Sequence, residues 1–130
     1  MKKDDIDYIK QWFEKADHDI KNASVVVSAH PDIIDTACFH CQQAVEKYLK
    51  AFLLYNKQRI EKTHLITELQ VKCAEIDVDF AQIDFKNLED FAIDIRYPDD
   101  TFAPTMAEAK EYLQMAEGIK KIVLQKIIFT

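Results

Sequence analysis

Glycine is almost missing from this chain: Gly118 is the only one in 130 residues, and there are just three prolines. Sheets need frequent tight turns, and tight turns need glycine and proline, so the shortage argues for long helices with few connections. It also excludes glycine-rich phosphate loops of the Walker and dinucleotide types. Serine is nearly as scarce. Ser24 and Ser28 are the only two, and neither has the setting of a nucleophile elbow. Long apolar runs are lacking too, since none approaches the roughly 20 residues needed to cross a bilayer. The opening MKKDDIDYIK is charged and polar, without the apolar stretch of a secretory leader. The cysteines, Cys38, Cys41 and Cys73, are odd in number. Reduced thiols in a cytoplasmic protein are the expectation.

Net positive charge is also lacking. The formal balance is -6, against a nonspecific DNA or RNA coat, which needs a cationic surface. A small local cationic site stays open. What the chain has is a 48% hydrophobic, 31% charged composition, as in a globular domain. Its length fits one domain, 1–130.

Apolar periodicity predicts about five helices. The first spans about Asp4 to Ala29, with Ile6, Ile9, Phe13, Ala16, Ile20, Ala23 and Val27 on one stripe and Lys10, Lys15, Asp17, Asp19 and Lys21 on the wet side. His30-Pro31 ends it. The second runs from Asp32, read as its N-cap, to about Asn56, and its wide apolar face marks it as central. A third, shorter helix follows Thr63, turning Leu65, Ile66, Leu69, Cys73 and Ile76 inward. Asp77 to Gln82 reads as a loop, and a fourth helix covers about Asp84 to Ile95. Thr105 and Glu108 form a capping box for the last helix, which continues to about Ile127. That helix has two apolar stripes. Ala109, Leu113, Ala116, Val123 and Ile127 pack into the bundle; Met115, Ile119 and Ile122 either meet a second subunit or widen the core face.

Chemistry-bearing residues are few. Cys38-Phe39-His40-Cys41 has the outline of half a zinc site, but no second pair exists, and both cysteines lie on the core stripe. Buried structural thiols are expected there, and no metal or cofactor. Asp17-His18-Asp19 reads as a solvated face, because helix neighbours point in different directions. Of 17 basic residues only Arg59 and Arg96 are arginines, both at helix junctions. A guanidinium suits phosphates and carboxylates. Equally, each could cap helix-end carbonyls or pair with an acid such as Asp94 or Asp99. His64 follows Arg59 by five residues, a spacing that suits a general base beside a phosphate holder but also a mere capping residue. Lys47 and Lys50 either add positive charge to a site or are solvated.

Several segments together resemble the HEPN domain family: Trp12 to Ala23 with its A-D-H-D-I-K-N-A run; Phe39 to Ala51, similar to the family's Q-A-x-E-K-x-L-K-A helix; Thr63-His64-Leu65 followed by Leu69; Arg96-Tyr97-Pro98; and the closing amphipathic helix. The resemblance covers nearly the whole chain. It implies an all-α, antiparallel up-and-down bundle that forms a homodimer. It further implies a minimal nucleotidyltransferase as partner in a toxin–antitoxin-like pair, and a nucleotide ligand reached through Arg96, Tyr97, Arg59, His64, Lys47 and Lys50. Many members are metal-independent ribonucleases with an R-x(4–6)-H motif at the junction before the last helix. Here Arg96 holds that junction, yet no histidine follows it, while Arg59 and His64 have the spacing one junction too early. Binding is therefore placed ahead of RNA cleavage, with Arg96, Arg59 and His64 as the residues a nuclease would use.

Overall fold

The computed structural model describes residues 2–60, 62–93 and 103–129. Four α-helices form it: α1 (Lys3–Ala29), α2 (Ile34–Tyr55), α3 (Ile66–Ile76) and α4 (Met106–Lys126). Single 3₁₀ turns occur at Pro31–Ile33, Val78–Phe80 and Leu88–Phe91. Among the described residues there is no strand.

The centre is α2, which packs against α1, α3 and α4. Ala37, Cys38, Cys41, Ala44, Val45, Tyr48, Leu49, Ala51 and Leu53 are fully buried, so its apolar residues cover most of the circumference. Alanines at 16, 23, 44, 51, 109 and 116 are sealed from solvent and let backbones approach closely. Larger side chains fill the seams: the Phe13 and Tyr48 rings lie 5.3 Å apart, Phe52 and Phe80 4.6 Å, and Phe91 and Tyr112 5.8 Å. Each such burial contributes about 1.5–3 kcal/mol before conformational entropy is counted.

Contacts fix the directions. Asp19 meets His40, and Trp12 meets Lys50, so α1 is antiparallel to α2. Asp17 meets Lys120, and Phe13 meets Phe129, so α1 is antiparallel to α4 as well. The connection after α2 doubles back far enough for buried Gln42 to donate to the His64 carbonyl at 3.0 Å. From there α3 runs in the same sense as α2, and the Cys73 thiol reaches the Leu49 carbonyl at 3.7 Å.

Local chemistry sets the ends. Thr105 Oγ1 accepts from Glu108 N at 3.1 Å and Glu108 Oε1 accepts from Thr105 N at 3.0 Å, the capping box expected for α4. At the α2 C-terminus Lys57 N donates to Leu54 O and Gln58 N to Leu53 O, both at 2.9 Å, a Schellman motif with Lys57 at φ 59°.

Three expectations are corrected. Asp32 is not the cap of α2; it lies in the Pro31–Ile33 turn, and α2 starts after it without a side-chain cap. The helix expected from Asp84 is a 3₁₀ turn alone, because Asp84 Oδ1 accepts from Lys86 N at 2.9 Å and Lys86 takes φ 51°, which an α-helix cannot include. Ile95 lies outside the described residues. The second α4 stripe fits the reading in which it widens the core face: Ile119 is buried, and Met115 and Ile122 are partly buried against the chain's own core. Leu65 and Ile76, expected to face in, are exposed at the two ends of α3.

Candidate functional site

One stripe of α1 runs Trp12, Ala16, Asp19, Ala23, and one stripe of α2 runs His40, Gln43, Lys47, Lys50. Steps of three and four keep each set on one helix face. The antiparallel packing lays the two stripes together and forms a polar seam inside an otherwise apolar interface. Asp19 is buried there, not solvated as its sequence setting implied. Its Oδ1 lies 2.8 Å from His40 Nδ1 and its Oδ2 2.5 Å from Lys47 Nζ. A buried carboxylate has to be matched by donors, and this one takes both from α2.

A second carboxylate sits one turn along. Glu46 is buried, and its Oε1 accepts from His64 Nδ1 at 2.7 Å with Lys50 Nζ at 3.7 Å. Lys50 is itself almost buried, its ammonium 5.6 Å from the centre of the Trp12 ring. The Trp12 Nε1 beside it is buried without a hydrogen-bond partner among the described residues. His64 differs from Lys50 in being 66% exposed at its side chain. With Nδ1–H directed at Glu46, the other ring nitrogen, Nε2, carries the lone pair of the neutral imidazole. The seam thus supplies two histidines, each oriented by a carboxylate, one half-buried and one open to water.

At the C-terminal end of α2, Asp5, Tyr8 and Ile9 of α1 face Leu54, Lys57, Gln58 and Arg59 across a cleft of about 370 Å³. The Schellman turn carries Arg59 to this place, and Tyr8 is half-exposed with its ring edge-on to Trp12 at 6.2 Å. The cleft therefore combines a guanidinium, an ammonium and an aromatic face with one carboxylate, that of Asp5. A second cleft of about 370 Å³ lies beside α3 and is acidic, with Asp84, Glu89 and Asp90 in its wall. Glu89 there accepts from Thr67 N at 2.8 Å.

Of the residues singled out from sequence, Lys47, Lys50 and His64 lie on the seam and Arg59 in the cleft. The two lysines are held by Asp19 and Glu46 rather than projecting into water. Arg96 and Tyr97, with Asp94, Asp99 and Asp100, lie outside the described residues. Cys38 and Cys41 are buried in the core. Burial pushes the Cys73 thiol up to about 12 and that of Cys41 further. Among the described residues no three His, Cys, Asp or Glu side chains are grouped as metal ligands. Sequence reasoning missed Asp19, Glu46 and His40. The available signal was spacing: Asp19 falls three after Ala16 and four before Ala23, on a stripe of otherwise apolar residues.

No curated protein matches the chain. Two solved structures share the fold. An archaeal HEPN homologue superposes with a TM-score of 0.66 at 23% identity, covering 92% of this chain and 98% of the other. A protein from Thermus thermophilus gives 0.67 at 27% identity with the same coverages. The family model described as HEPN domain matches residues 9–127. That match takes in both stripes of the seam and the whole of α4, and the chain belongs to the HEPN domain family.

Proposed function

We propose that this HEPN domain is a binding module that takes a phosphate-bearing nucleotide in the cleft between α1 and the end of α2. It acts as a homodimer in the cytoplasm, with a minimal nucleotidyltransferase as partner in a toxin–antitoxin-like pair. The observation that supports the ligand is Arg59, placed with Tyr8 around a cleft of about 370 Å³. A guanidinium fork suits a phosphate and an exposed ring suits a base. The lysines of the seam are engaged by carboxylates, which leaves the cleft as the better place for an anion. Binding to the native state has to raise its stability, by about 2.7 kcal/mol at a hundredfold excess over Kd. Thermal melting with saturating ATP or AMP should show a rise that Arg59→Ala abolishes. Unchanged melting of the wild-type protein overturns the ligand. Copurification of a nucleotidyltransferase from the native host tests the partner, and sedimentation tests the dimer.

The His64–Glu46 pair favours a second reading, metal-independent RNA cleavage with His64 as general base. A histidine oriented by a buried carboxylate is the usual form of such a base. RNA cleavage in the presence of a chelator, lost in His64→Ala, would support it; undiminished cleavage by that variant removes His64 from the reaction.

A further inference from the structure

The chain has four histidines, and the structure sorts them by two independent properties. His18 and His30 are exposed, with no carboxylate bonded to either ring among the described residues. His40 has a carboxylate on Nδ1 but only 27% side-chain exposure. His64 alone has both: Glu46 on Nδ1 at 2.7 Å, itself only 4% exposed, and a ring 66% open to solvent. The backbone that carries the ring is also anchored. Gln42 holds the His64 carbonyl at 3.0 Å, and Thr63 next to it bonds Glu68 at 2.8 Å.

We propose that His64 is a covalent phosphoryl-acceptor site, taking the group on Nε2 from a phosphoramidate or acyl-phosphate donor. The Nε2 lone pair attacks phosphorus and the new N–P bond forms there. With phosphoramidate, the donor's own P–N bond breaks, and its electron pair leaves with the already protonated nitrogen as ammonia; with an acyl phosphate, the bond between phosphorus and the acyl oxygen breaks and the carboxylate leaves with the pair. The imidazole keeps its Nδ1 proton, directed at Glu46, and acquires positive charge as the bond forms. The buried carboxylate faces that charge in a poorly screened position, so it stabilises the product ring and the transition state leading to it. Glu46 is a positioning residue here: it fixes the ring and leaves Nε2 as the attacking atom. His64 lies just ahead of α3, whose N-terminal dipole favours an added negative group. This site does not depend on a nucleotide occupying the Arg59 cleft.

The test uses the whole chain. Wild-type protein is incubated with phosphoramidate, and acid-labile phosphate is located by mass spectrometry over time. His64 should be labelled about tenfold faster than His18 and His30, with His40 lagging because its ring is shielded. Glu46→Gln should bring the His64 rate down to that of His18. Equal rates at His18, His30 and His64 in the wild-type protein overturn the proposal, and that comparison needs no variant to fold. In a folded Glu46→Gln protein, an unchanged His64 rate also overturns it.

Discussion

Asp19 and His40, on different helices, are joined by a hydrogen bond of 2.8 Å inside the α1–α2 interface. The other oxygen of the same carboxylate holds Lys47. One acid thus ties α1 to two points of α2 about two turns apart.

Removing that acid leaves Lys47 with no counter-ion in a half-buried place. Loss of one partner of a fully buried pair costs about 3–5 kcal/mol, and partial exposure of both donors reduces this to about 2 kcal/mol for Asp19→Ala. Urea denaturation should show the drop, and Lys47→Met added to the same protein should recover part of it. An unchanged midpoint for Asp19→Ala would mean the tie contributes nothing to stability.

Alkali should unfold the domain through its core thiols and a phenol. Burial raises Cys41 and Cys73 above the ordinary 9.0, and burial together with the hydrogen bond to Asp17 raises Tyr48 above 10.0. The folded chain therefore keeps protons that the unfolded chain gives up. Their contribution is complete below about pH 9 and declines above it, by up to about 1.4 kcal/mol per pH unit for each group. Urea midpoints measured from about pH 8 to about pH 10 should fall, and Cys73→Ala should flatten part of the fall. A flat profile would show that these thiols ionise as easily in the folded state as in water.

Lys57 occupies the left-handed position of the turn that ends α2. A side chain there is strained, and glycine is the residue that relieves it. Lys57→Gly should raise stability by about 0.5–1 kcal/mol in thermal or urea unfolding. A loss of stability would mean that the lysine side chain contributes more in the cleft than its backbone costs.

The long helices were readable because each has a sustained apolar stripe. The start of α4 was readable because Thr105 and Glu108 satisfy each other's amides locally. The segment from Asp84 failed for an equally local reason that periodicity does not register: Asp84 bonds Lys86 N and turns the chain before a helix can propagate. The candidate site was harder. His64 and Arg59 could be picked out as unusual residues, and Lys47 and Lys50 as cations. Their partners Asp19 and Glu46 are ordinary acids on helices until two stripes meet in three dimensions. That pairing is tertiary and carries no signal in either helix alone.

With most of the circumference of α2 covered by its neighbours, the amides of its middle turns are shielded from water. Deuterium should enter Val45 to Leu49 only when the entire domain opens, so these positions report the global free energy of unfolding. Of the two histidine–carboxylate pairs, one draws Glu46 from within that slow-exchanging segment and the other draws His40 from the helix just ahead of it. They come together and come apart with the whole cooperative unit, and fraying of a terminus does not reach them.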